Sequence, residues 1–241
     1  MHSEHDWITL HRVRFAQPVS AVEHIFDAPQ GPDCWRFCVQ HTLGQDNLPT
    51  WKSDVWAALG IWPDRATAEQ MMADPVAAMP AMGEALEAWH ALAIPVQHRG
   101  EVRWRGVVEK DCAIRPCSED IEAPLAVVTS ASFDDPKNPA ELPRISRFAV
   151  KVSEAIEFLG QQPGNLRRAV FNGGFDGREG FTLTLWESDD AMLKAAYHSG
   201  HHRTLIDESR DGSIFDRSSF TRLRIVQTHG SWSGDPLKTV A

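Results

Sequence analysis

Three histidines, His198, His201 and His202, stand around Gly200 in the stretch FTLTLWESDDAMLKAAYHSGHHRTLIDESR, residues 181–210. Imidazole ligates metals and moves protons near neutral pH, so the spacing of these three decides what chemistry is open to them. On one continuous helix His198 and His202 would be neighbours and could share a zinc or iron. Gly200 breaks that helix between them, and no HExxH pattern is present. After the break, His202, Leu205, Ile206 and Ser209 fall at i, i+3, i+4 and i+7. His202 therefore shares a helical face with apolar side chains and points inward, whereas His201 aligns with Thr204 and Glu208 toward solvent. An inward imidazole is either a satisfied core side chain or a ligand to a metal or haem iron. A haem also needs an apolar sleeve and cations for its propionates. Trp186, Leu205 and Ile206 can supply the first, and Arg222 and Arg224, with one of Arg167 and Arg168, the second; strand alternation sends the last two to opposite faces.

The elements that must position these residues follow from the same stretch. An alternating strand ends at Trp186, Ser188 can cap the next helix, and Asp189 and Asp190 place negative charge on its first turn. Other catalytic signatures are missing: there is no GxSxG elbow, no GxxxxGK[ST] phosphate loop, and no GxGxxG between a strand and a helix. NGGFDG at 172–177 joins two expected strands and reads as a hairpin loop.

In chain order, the pattern predicts a strand at 7–16, a short helix at 20–28, a strand at 34–40 and a long buried strand at 51–62. Pro63 then suits the first helical position, DRATAEQMM continues as helix, and Met82, Leu86 and Trp89 predict another helix over 79–92. A strand at 102–108 closes this half. The charged segment EKDCAIRPCSEDIEA follows, so the chain divides into an N-terminal half, 1–110, a linker, 111–123, and a C-terminal half, 124–241. The second half predicts a strand at 125–132, an amphipathic helix over 148–159, a strand at 166–171, the 181–186 strand with its helices, and a last strand at 220–228. Both halves read β-α-β-β-α-β. GIWPDRATA at 60–68 and TLWESDDAM at 184–192 repeat strand, Trp and acidic helix start, with a period of about 124 residues. The expected fold class is α+β: two tandem ferredoxin-like halves packed sheet to sheet as a dimeric α+β-barrel type fold within one chain.

Composition narrows the function classes. A formal net charge of -9 argues against a nucleic-acid binder, which needs a basic surface. No apolar run approaches the roughly 20 residues needed to span a bilayer, and MHSEHDW lacks the regions of a signal peptide, so the expectation is a cytoplasmic protein without stable membrane insertion. Cys34, Cys38, Cys112 and Cys117 form no CxxC knuckle and are expected as reduced structural thiols. Nine Trp against one Tyr point to aromatic bulk in a cavity wall or in the core.

In two blocks the sequence resembles the spheroidene monooxygenase family, the acyclic carotenoid ketolases. The first block is CWRF at 34–37, LPTW at 48–51 and IWPDRATA at 61–68, followed by AW at 88–89 and Pro95, Val96, Arg99, Gly100 and Trp104. The second is FTLTLWESDDAM, GHH at 200–202 and FDRSSFTRLRI at 215–225. The resemblance implies a dimeric α+β-barrel fold and a haem-dependent (haem b) oxygenase activity; the expected substrate is apolar or a small organic molecule, and the alternatives are redox-neutral (dehydratase-like) or nitrogen-oxide haem chemistry on the same fold, or a haem-free barrel serving as a binding module. An external electron donor would serve a monomer or homodimer. The family's glycine, one residue, histidine pattern falls on Gly200, His201 and His202, which makes His202 the implied axial ligand. This chain carries His201 where proline is expected.

Overall fold

The computed structural model describes residues 4–20, 29–50, 52–100, 114–173, 179–197 and 214–237. Four strands come from the first half: β1 (Trp7–Ser20), β2 (Cys34–Gln40), β3 (Lys52–Trp62) and β4 (Glu87–Gly100). Four come from the second: β5 (Leu125–Ser132), β6 (Asn165–Gly173), β7 (Glu179–Trp186) and β8 (Arg217–Gly230). The helices are α1 (Arg65–Ala73), the short α2 (Pro75–Ala78), α3 (Leu142–Gly160) and α4 (Asp189–Tyr197).

The strands close one barrel in the order β1-β3-β2-β6-β7-β5-β8-β4. Within it each half has the same internal order, fourth-first-third-second, and the two four-stranded sheets join edge to edge through β2–β6 and β4–β8, both antiparallel. The expected sheet-to-sheet packing thus takes the form of a closed barrel, in which no sheet edge is left to pair with another chain.

Alternation divides the side chains between two environments. Ile8, Leu10, Leu59, Ile61, Trp89, Ala126, Leu183 and Leu223 meet inside the barrel. The outer face of the first half is covered by α1 and the segment after it, with Trp35, Trp56, Trp62, Met71, Met72 and Met79 packed together. The outer face of the second half lies under α3 and α4 and holds a smaller buried cluster, Leu125, Val127, Trp186, Met192 and Ala195. Burial of this order, at about 25 cal/mol per Å² of apolar surface, is the main term holding the barrel closed.

Three expectations are corrected. The helix expected over 79–92 is a 3-10 turn at Pro80–Glu84 followed by β4, which occupies 87–100; the strand expected at 102–108 lies outside the described residues. β4 is covered on both faces, with Trp89, Ala91 and Ala93 inward and Leu92 and Ile94 outward. Such a continuous apolar run imitates helical spacing. Leu86, which completed that spacing, is 65% exposed. Pro63 precedes the helix cap and does not enter the helix: Asp64 accepts from Thr67 N, and α1 starts at Arg65. Cys34 is disulfide-bonded, whereas Cys38 and Cys117 are free and buried. The cysteine spacing is silent on this because the pairing is set by tertiary proximity. Residues 21–28 and 101–113 lie outside the described residues, and with them most of the first expected helix.

Candidate active site

A cavity of about 190 Å³ lies in the second half, between the outer face of β5, β6, β7 and β8 and the helices α3 and α4. Its helical wall is the apolar stripe of α3. Ile145, Phe148, Ala149, Val152, Ala155, Ile156 and Leu159 recur at three- and four-residue steps and all face the space. Met192 and Ala196 of α4 close a second side. α4 is placed by its own chemistry: the Ser188 hydroxyl accepts from Ala191 N at 3.2 Å, and Asp189 at the helix start binds Arg224 and stands 3.7 Å from Arg222.

The strand side of the cavity carries several small side chains beside Val127, Val170 and Phe220. Thr129, Ala131, Gly180, Thr182 and Thr184 line it, with Trp186 at one end. Trp186 is 1% exposed, and its indole N–H donates to the Thr184 hydroxyl at 2.9 Å, which fixes the ring in the wall. A Cβ built on Gly180 would meet nothing closer than the Phe171 carbonyl oxygen at 3.7 Å and Phe148 at 3.9 Å, so the glycine leaves usable space.

The register of the two half-sheets identifies what occupies the equivalent positions in the first half. Trp62 corresponds to Trp186, and its indole likewise donates to a threonine, Thr9, at 2.8 Å. Trp56 pairs with Val13 and Val39, as Gly180 pairs with Ala131 and Asn172. At the same spacing that relates Trp62 to Trp186, a fully buried tryptophan in one half is a bare glycine in the other. Trp35 likewise corresponds to Arg168, Phe37 to Val170 and His11 to Thr129.

One polar group reaches the cavity from the other half. His41 follows β2 and lines the space together with Pro49 from the same loop. That loop is held on the second half by Ser146, whose hydroxyl donates to the Asp46 carbonyl at 3.4 Å, and by Asn172, whose amide N–H donates to the Thr50 carbonyl at 3.4 Å. Asn172 thereby presents its Oδ1 to His41 Nδ1 at 3.0 Å. His41 Nε2 is buried and has no hydrogen-bond partner among the described residues. Burial lowers the pKa of this imidazole; the Asn172 hydrogen bond and the nearby Ala149 carbonyl oppose the shift without reversing it.

Of the residues singled out in the sequence, Trp186 is in the cavity wall. Arg222 is on β8 with its guanidinium beside Asp189 and over the Phe220 ring, 5.7 Å from the centroid; Phe220, not Arg222, meets the cavity. His202, Leu205 and Ile206 lie outside the described residues. Ala196 and Ile214, just before and after that stretch, are both wall residues. His41, Asn172 and Gly180 were not singled out. The period that matched Trp62 with Trp186 also matches Trp56 with Gly180 and could have exposed the void. Nothing local marks His41, whose partner is 131 residues away. No group of three or more His, Cys, Asp or Glu suited to a metal ion occurs among the described residues, and none of the described helices is long and apolar enough to cross a membrane.

No protein-family model matches the sequence, and no curated protein sequence matches it significantly. Solved structures do. Aldoxime dehydratase overlays with a TM-score of 0.58 at 11% identity, over 91% of this chain and 81% of that one. Aldoxime dehydratase in complex with butyraldoxime gives a TM-score of 0.56 at 10% identity, over 91% and 79%. An anthrone oxidase-like protein aligns over 98% of this chain and 96% of its own at 14% identity, with a TM-score of only 0.33. At these identities the likeness is one of fold, and it agrees with the strand order: the chain has the dimeric α+β-barrel fold, with both modules in one polypeptide.

Proposed function

We propose that this chain is a haem-dependent oxidoreductase of the monooxygenase type, acting on an apolar or small organic substrate in the cavity beneath α3 and α4. The observation that carries the reading is the hollow face. The two halves share one architecture, yet the first is filled by Trp35, Trp56 and Trp62 while the second keeps an apolar void. An apolar cavity with few polar groups is the usual form of a small-molecule site. Membership of the spheroidene monooxygenase type is part of this proposal and rests on the two sequence blocks.

The described residues match the hydrocarbon body of a haem in kind, while the about 190 Å³ they enclose takes only one edge of it. The α3 stripe, Trp186 and Met192 offer an apolar wall, and Gly180 leaves its Cβ position free. His202 would be the axial ligand, with Leu205 and Ile206 beside it in sequence; all three fall between the wall residues Ala196 and Ile214. Bound haem would supply oxygen or peroxide activation, with electrons from an external donor. The chain's own contribution is to exclude water with the α3 side chains, to hold Trp186 rigid through Thr184, and to admit a substrate of limited size.

The test is the absorption spectrum of protein produced with haem supplied. A Soret band is expected, and it should be lost in His202→Ala. Product formed with reductant and labelled oxygen should carry the label. Protein that stays colourless on haem titration overturns the haem reading, and redox-neutral turnover overturns the monooxygenase reading.

A further inference from the structure

Beside the cavity lies a second space, an open groove of about 620 Å³ between α3, β6 and the chain after β8. His41, Ile156 and Val170 line both, so the two spaces meet along these three side chains. Their chemistry is opposite: the cavity is apolar, whereas the groove carries two guanidinium groups, those of Arg167 and Arg168. Alternation on β6 turns the first toward Trp232 and the second toward α3. Arg167 is held on three sides. It donates to the carbonyls of Trp232 at 3.1 Å and Leu166 at 2.6 Å, and to Asp235 at 2.8 Å. Arg168 makes one hydrogen bond among the described residues, to Glu157 Oε2 at 2.8 Å, which leaves its other N–H groups available. The two side chains of this pair are 34% and 67% exposed, so water screens it and a second carboxylate can share or replace Glu157 at little cost. The guanidinium is nonetheless fixed in place: it lies over Gly160, where any Cβ would collide with it. The equivalent position in the filled half is Trp35, so the hollow half sets a charge where the other sets an aromatic ring.

We infer that cavity and groove form one site for an amphipathic acid, with its apolar body in the cavity and its carboxylate on Arg168. A guanidinium presents its N–H groups in a planar fork that matches a carboxylate, and more than one edge of the fork can be used at once. Volume sets the scale of the apolar part. A cavity of about 150 Å³ lined by aliphatic and aromatic side chains binds benzene, and this one, at about 190 Å³, accommodates a singly substituted ring. The inference rests on the cavity being the reaction site proposed above and narrows its substrate to a carboxylic acid, but it concerns binding and needs neither haem nor turnover.

The test uses the full chain without haem and calorimetry on matched probes: 3-phenylpropionate, 4-phenylbutyrate and 5-phenylpentanoate, each against the alcohol of the same length. At the length that spans from ring to guanidinium, the acid should bind roughly 3- to 10-fold more tightly than its alcohol, as a partly exposed charge-assisted hydrogen bond requires. Arg168→Gln should bring acid and alcohol to equal affinity and leave the alcohol unchanged. Glu157→Gln removes the competing carboxylate and should tighten the acid by roughly a further 2- to 5-fold, again without moving the alcohol. A pair that only braces α3 would not produce that gain. An alcohol that matches its acid at every length, or an acid preference that survives in Arg168→Gln, overturns the inference. If Arg168→Gln fails to fold, the wild-type probes and Glu157→Gln decide. Haem carries the same carboxylate chemistry in its propionates: haem affinity that falls in Arg168→Gln, with no acid preference in the wild type, would assign the guanidinium to the cofactor and also overturn the inference. A missing Soret band would remove the functional reading and leave this measurement standing, and equal probe affinities alongside labelled product would do the reverse.

Discussion

The two outer faces of the barrel are built on the same strand order and register and are used in opposite ways. In the first half the face beneath α1 is filled with Trp35, Trp56 and Trp62 and the methionines Met71, Met72 and Met79. In the second half the positions matching those tryptophans hold Arg168, Gly180 and Trp186, and the face beneath α3 and α4 leaves a cavity. The difference is one of side-chain volume on a common backbone. It teaches that one module serves as scaffold and the other as container, with the scaffold lending His41 and Pro49 to the container. Trp62 and Trp186 are equivalent, but each is anchored to a threonine on a different strand: Trp62 to Thr9 of β1 and Trp186 to Thr184 of its own strand.

The largest effect should come from emptying the filled face. Trp56 is 1% exposed, with its indole donating to the Ser53 carbonyl at 3.1 Å. Truncation to alanine should destabilise the protein by about 3–5 kcal/mol, from lost burial plus the cavity left behind. Urea denaturation measures this. A loss below about 1 kcal/mol would mean that the first half tolerates a void as readily as the second, and the contrast between scaffold and container would fail.

Acid should also act on the filled face, through a pair that the hollow face lacks. His11 is 1% exposed and shares a hydrogen bond with His90, Nδ1 to Nδ1 at 2.9 Å; their equivalents in the second half are Thr129 and Phe220. Burial, and then the facing His229, lower the pKa of His90 to about 4; burial, and then His90, lower that of His11 well below its usual value. Both rings are more easily protonated in the unfolded chain. Their stabilisation is therefore complete above about pH 6.5 and is lost as pH falls toward the folded values. For His90 the full loss is about 3 kcal/mol, most of it already present near pH 4.5. Urea denaturation at pH 7.5 and 4.5 should show that part of the acid sensitivity disappearing in His90→Phe, which installs the second half's residue. An unchanged difference between the two pH values would place the acid-sensitive groups elsewhere.

Much of the architecture was legible in the chain because short-range patterns specify it. The alternation of β7, the apolar run of β3 ended by Pro63, the Ser188 cap, the amphipathic stripe of α3 and the duplicated order all depend on neighbours within a few residues. β4 was misread as a helix because a strand covered on both faces carries no alternation to read. The site was less legible for a different reason. Trp186 could be found through the repeat, but His41 joins the wall only through Asn172, 131 residues away, and Gly180 stands out only by comparison with Trp56. A void is specified by what is missing from a sequence, and local patterns record only what is present.

The smallest change in free energy should come from the substitution that tests the contrast most directly. Gly180→Leu moves the hollow face one step toward the filled one. The backbone has no obstacle to a side chain there, since a Cβ would make only ordinary contacts with Phe148 and the Phe171 carbonyl. The added isobutyl group should extend into the cavity and compete with any ligand. Affinity for 4-phenylbutan-1-ol should fall roughly tenfold or more, equivalent to about 1.4 kcal/mol. The thermal midpoint should shift by only a few degrees, because new burial offsets the cost of tighter packing. Unchanged affinity would mean that the probe binds elsewhere. Normal affinity with a large fall in midpoint would mean that the space beside Gly180 is needed by the fold itself, and the second half could no longer be described as a hollowed copy of the first.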